Sequence, residues 1–214
     1  MNKCSNIFAG LIFTFAISSA FAAEITSLSN ASTYTIPDYG ADGSSGSPPG
    51  PETIAPGIVW TEESSVSLFG YSRTYGFGEN GKWDGVSMYG TNSEDSSMTI
   101  SFATPVQGVA AFMNYAPFRG NPVISVYDKY NNLLESTTLS FSAIGSGEVH
   151  GFLESAANIS HFKFSGAYLG ASNLQVAAVP EPESYAMLLA GLGLMGGIAR
   201  RCSQRERGQT TVFT

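Results

Sequence analysis

Short runs of strictly alternating apolar and polar side chains, repeated along the middle of the chain, set the tightest limit on its fold. In Met98-Thr99-Ile100-Ser101-Phe102 the apolar residues fall on one side of an extended backbone and the hydroxyls on the other. In His161-Phe162-Lys163-Phe164 the two rings likewise share a side. A period of two puts one face on a core and the other in water, which describes half-buried antiparallel strands rather than an amphipathic helix. Strand signals of this kind follow one another from Gly57 onward: Val66–Tyr71, Gly85–Tyr89, Met98–Phe102, Val106–Tyr115, Val123–Asp128, Leu133–Phe141, Glu148–Leu153, Ile159–Phe164 and Leu174–Val179. Asp128-Lys129-Tyr130-Asn131-Asn132 reads as the turn of a hairpin between two of them. No stretch of the body has a helical period. The expected fold is all-β, an antiparallel β-sandwich of jelly-roll type.

Composition agrees. The chain has 24 glycines, and 43% of its residues are hydrophobic against 13% charged. That is too apolar for a disordered chain and suits short strands joined by Gly-, Ser- and Asn-rich turns. Between Glu24 and Val179 there are 14 acids and 5 bases, a balance of −9. Such a body repels phosphates, so nucleic acid is excluded as a partner. The two cysteines, Cys4 and Cys202, lie near the ends. The body between them uses no disulfide and must be held by its own core.

The ends differ from the body. Lys3 precedes an apolar run, Ile7 to Ile17, and Ala20-Phe21-Ala22 is an A-x-A cleavage pattern. This reads as a signal peptide cut between Ala22 and Ala23, and so as export through the Sec machinery. Cys4 precedes the apolar run, whereas a lipidated cysteine would follow it. At the other end Pro180-Glu181-Pro182 is followed by an uncharged stretch, Ser184 to Ala199, and then by Arg200-Arg201. As helix those 16 residues span about 24 Å, short of the roughly 30 Å hydrocarbon layer. The arginines hold their end in the cytoplasm. Gly193 and Gly197 have the G-x-x-x-G spacing of packed membrane helices, which also leaves a plain single-pass anchor open.

Pro-Glu-Pro, a short Leu/Gly-rich apolar helix and an arginine pair together resemble the tripartite C-terminal signal of PEP-CTERM proteins, over Val179 to Arg207. The resemblance implies an exosortase as partner, with Pro180, Glu181, Pro182, Arg200 and Arg201 as the sorting motif. It implies a transient membrane anchor and delivery to the outer surface or exopolysaccharide matrix of a Gram-negative bacterium. The tail from Cys202 to Thr214 is longer than is usual in that family. The body also resembles a group of PEP-CTERM ectodomains with no established activity, through Phe69-Gly70-Tyr71, Tyr75 to Trp83, Pro105-Val106 to Tyr115 and Val123 to Glu135. That likeness implies a sandwich domain. The expected plan is a signal peptide (1–22), an N-terminal arm with a Gly/Ser/Pro-rich loop (23–56) and the ectodomain (57–178). A sorting signal (179–207, helix 184–199) and a cytoplasmic tail (208–214) follow. The stretch Gly40 to Gly57 is either a linker or a long exposed loop of one domain.

Chemistry is sparse. His150 and His161 fall on separate strands without a His-x-x-x-His partner, and no G-x-S-x-G elbow singles out a serine. No catalytic residue and no cofactor is expected. Asn92, Glu94 and Asp95, and separately Asp128, Asn131 and Asn132, are loop oxygens of the kind calcium takes. Glu62-Glu63 and Glu94-Asp95 are adjacent acids, which a strand would point to opposite faces. The surplus is aromatic. Trp60, Tyr75 and Trp83, beside Gly-rich turns, are the candidate ligand-binding rings, flat platforms for a sugar face. The expected role is that of a non-enzymatic surface or matrix protein tied to biofilm. A carbohydrate-binding module is the alternative and a hydrolase a more distant one. Because the body lacks cysteine, reducing agent should leave its melting temperature unchanged; a large fall on adding thiol would contradict this.

Overall fold

The computed structural model describes residues 23–39, 50–64, 67–71, 81, 83, 85–142, 144–177, 189–193 and 195. Among the described residues thirteen strands make up the sandwich. They are β1 (Ala23–Ile25), β2 (Ser32–Tyr34), β3 (Glu52–Ala55), β4 (Ile58–Glu62), β5 (Ser67–Tyr71), β6 (Met88–Thr91) and β7 (Ser97–Val106). There follow β8 (Gly108–Asn114), β9 (Val123–Tyr127), β10 (Leu133–Thr138), β11 (Glu148–Leu153), β12 (Ile159–Ser165) and β13 (Gly170–Ala177). The first sheet runs β1-β11-β8-β13-β6-β5, with β2 also on β13; the second runs β10-β9-β12-β7-β4-β3. Every pairing is antiparallel.

The alternation read from the sequence is the alternation that packs. On β7, Met98 and Ile100 are fully buried while Thr99 and Ser101 are half-buried on the other side. On β12, Phe162 and Phe164 go in and His161 and Lys163 face out. The inner faces meet in one core: Trp60, Ile100, Phe162 and Ile124 from the second sheet against Tyr89, Met113, Phe152 and Leu174 from the first. The Trp60 indole N–H, taken out of water, donates to Met98 Sδ at 3.3 Å.

Several boundaries depart from expectation. β6 begins at Met88 rather than Gly85, and β10 stops at Thr138 rather than running to Phe141. β13 starts four residues early at Gly170, because its first residues pair on both edges, with Gly90 and with Asn114. A bulge then falls between Ser172 and Gln175, where Asn173 takes the left-handed conformation at φ 50°. Residues 23–56, read as an arm ahead of the ectodomain, contribute β1 and β2 to the first sheet and β3 to the second. β4 is a further strand absent from the sequence reading. Its inward set is Ile58, Trp60 and Glu62, and the glutamate breaks the apolar pattern.

Two glycines allow backbones to meet side chains closely. A Cβ on Gly151 of β11 would collide with the Val109 carbonyl oxygen of β8, and one on Gly170 would lie 2.5 Å from the Trp83 ring. The register also fixes where the sandwich is entered and left. Ala23 pairs with Leu153, Leu153 with Gly108, and Gly108 with Ala177, so the first and last strands start and finish at one pole. Gly151→Ala should therefore separate β11 from β8 and lower the melting temperature sharply. Ile100→Ala, a plain core truncation, should cost about 2–5 kcal/mol by denaturant titration.

Candidate functional site

The outer face of the second sheet carries an open cleft of about 430 Å³. Cross-strand register builds it in rows. One row sets Thr61 of β4 beside Thr99 of β7, then Lys163 of β12, Ser125 of β9 and Ser136 of β10. The next sets Ser101 of β7 beside His161 of β12 and Tyr127 of β9. Neighbouring strands are about 4.8 Å apart, so hydroxyl, imidazole and ammonium groups repeat at that interval across the sheet. These outward positions are polar because the alternate ones are needed inside.

Local bonds hold the groups in place. Ser101 Oγ and His161 Nδ1 share a hydrogen bond at 3.1 Å. Lys163 Nζ donates to Glu63 Oε1 at 2.9 Å, and the Ser97 hydroxyl and that ammonium hold the Glu63 carboxyl below its ordinary range. The Ser125 and Ser136 hydroxyls are 3.0 Å apart. At one end of the cleft Asp128 closes the hairpin turn. Its Oδ1 accepts from the backbone N–H of Tyr130 and Asn132, each at 2.8 Å, and its Oδ2 accepts from the Asn132 side chain at 2.8 Å.

Glu62 differs from its neighbour. It is only 7% exposed and points inward, so the adjacent acids do diverge to opposite faces. Oε1 accepts from the Ser96 hydroxyl at 3.0 Å, and Oε2 has no hydrogen-bond partner among the described residues. Burial pushes its carboxyl up to about 7, against the lowering effect of Ser96, the Asn92 backbone N–H and Ser67.

The rings chosen from sequence do not form a surface strip. Trp60 is fully buried, 5.1 Å from the Phe69 ring between the sheets. Trp83 is 2% exposed and packs edge-on against Phe112 at 5.7 Å, in a small outer cluster with Leu68, Tyr71 and Met88. Both are core rings, which corrects their reading as ligand platforms. Tyr75 lies outside the described residues, as do Ala20, Ala22, Pro180, Glu181, Pro182, Arg200 and Arg201. His150 is buried on β11, stacked on Phe141 at 5.2 Å, with Glu24 Oε1 3.2 Å from Nδ1 and Glu148 Oε2 3.3 Å from Nε2. Of the loop acids considered for calcium, Glu94 pairs with Arg119 at 3.4 Å. Among the described residues no three His, Cys, Asp or Glu are grouped to hold a metal ion. Sequence reasoning passed over Tyr127 and Ser101; their signal was the outward position on alternating strands, but their meeting depends on strand order.

The last strand leads directly into the tail. β13 ends at Ala177, and a model of the PEP-CTERM protein-sorting motif matches residues 178–205. The chain carries a PEP-CTERM sorting motif. Of its expected helix 184–199, residues 189–193 and 195 are described and are helical. Leu189, Leu192 and Met195 expose their side chains. Among the described residues no helix is long and apolar enough to cross a membrane. Solved structures similar to part of the chain include the lectin domain of Lectinolysin complexed with Lewis B antigen. It is 13% identical, covers 56% of this chain and 92% of that one, and has a TM-score of 0.38. A Streptococcus pneumoniae fucose binding module is 14% identical over 56% of this chain and 90% of that one, at a TM-score of 0.37. No curated protein matches the chain.

The pH dependence of stability should follow Glu62. Its folded value lies above the unfolded one, so its contribution is complete below about 4.5 and is lost as pH rises through about 7. Thermal melts should show Glu62→Gln raising the melting temperature at pH 8 and leaving it nearly unchanged at pH 4.5. A variant that melts below the parent at both pH values would contradict the assignment.

Proposed function

We propose that the protein is exported through the Sec machinery and delivered by an exosortase to the outer surface or polysaccharide matrix, where its sandwich acts as a non-enzymatic interaction module. The observation that carries the delivery step is the sorting motif itself, which starts one residue after the last strand. The match begins at the residue that follows the last described strand. Arg200 and Arg201 keep the tail cytoplasmic. Mass spectrometry of surface-released protein should find no peptides beyond the Pro-Glu-Pro region; intact tails on that material would refute sorting by cleavage.

For the sandwich, the cleft across the second sheet supports polysaccharide as the ligand. A glycan presents hydroxyls at a regular interval and an apolar ring face. The sheet answers with rows of Thr, Ser, His and Lys at about 4.8 Å and with the half-buried ring of Tyr127. Among the described residues no carboxylate bonds the free nitrogen of His161, so the Ser101–His161 pair lacks the third group that would orient it as a base. Binding of native exopolysaccharide, measured by pull-down, should fall about tenfold in Tyr127→Ala. Trp60→Phe, a core change, should leave binding intact. Equal binding by Tyr127→Ala and the parent would remove the cleft from consideration.

A further inference from the structure

The flank of the sandwich where the two sheets end together is acidic. β1 and β10, edge strands of different sheets, touch there: Thr137 Oγ1 donates to Glu24 Oε2 at 2.9 Å. From that contact toward the pole of entry and exit, β10 reaches Glu135, two residues along and on the same face. β1 reaches Ala23, whose register partner is Leu153, and Glu154 comes next in the chain. Glu154 is only 4% exposed, and its carboxyl is raised by burial first and by the charge of Glu135 second. Neither Glu135 nor Glu154 has an ion-pair partner among the described residues. His150, which also faces this flank, is held by Glu24 and Glu148.

We propose that this acidic notch receives the α-ammonium group that signal-peptide removal creates on Ala23. The inference rests on reading residues 1–22 as a signal peptide. Cleavage adds water across the Ala22–Ala23 peptide bond. Ala22 leaves with the carboxylate, and Ala23 keeps the amine, which is mostly protonated at neutral pH. In the precursor that nitrogen is a neutral amide, and the two carboxylates lie near each other without a counter-charge. In the mature chain a cation stands at the start of β1, one residue beyond the Glu24 contact and opposite Leu153. It offsets the repulsion and favours the charged form of both acids. Processing thereby clamps β1 onto β11 and finishes the edge of the first sheet.

The test compares the chain from Ala23 to Thr214 in two forms, in the same mild detergent: a free amino terminus and an acetylated one, which carries no charge. At pH 7 the free form should melt about 2–4 °C higher. An amine whose folded pKa is raised stabilises fully below its ordinary range of about 7.7–8.0 and loses that effect as pH rises through the folded value. The gap should therefore close by about pH 10.5. Glu24, Glu135, Glu148, Glu154 and His150 are common to both forms, so the difference reports the amine. Glu154→Gln and Glu135→Gln, made separately so that one can fail to fold without spoiling the test, should each shrink the gap at pH 7. No gap in the parent chain, or an undiminished gap in both variants, would overturn the proposal.

Discussion

The rest of the structure depends on β13 having neighbours on both edges. One edge takes β8 along nearly its whole length; the other is divided between β6 and β2. The strand lies third from the β5 end of the first sheet's path, yet it is the last described strand in sequence. The first sheet therefore stays divided until residue 177 has arrived. β1 on β11 and β2 on β13 are likewise pairings across most of the body. Loop closure over such distances is slow, so the sandwich forms late, once its last strand is available. The sorting motif follows at once, which ties the completion of the fold to the arrival of the sorting signal.

Much of this fold is legible in the sequence because burial on one face of a strand writes itself as alternation. β7 and β12 are read almost residue for residue. What escapes is whatever a distant strand decides. β4 hides because Glu62 holds an inward position, tolerated through Ser96 and the Asn92 backbone, neither of which the local pattern reveals. β1 and β2 are three residues each and acquire their meaning only from β11 and β13.

The candidate site was less legible than the fold, for the same reason. Trp60 and Trp83 lie beside glycines, and a ring beside a turn reads as exposed. In the structure the neighbouring space is used otherwise: Gly170 on a distant strand makes the hollow into which Trp83 packs. Tyr127, Ser101 and His161 come from three strands, and only the order β9-β12-β7 brings them into one row. The sorting motif, by contrast, is linear. Its information is local spacing, so a reading of the chain finds it whole.

The shared pole of entry and exit has a further consequence. The first and last described strands meet where Ala23, Leu153, Gly108 and Ala177 stand in line. Severing the chain just before Ala23 and again beyond Ala177 removes no rung among the described residues of either sheet. A body whose two ends meet at one side in this way can lose chain from either end while the broad polar face keeps its geometry.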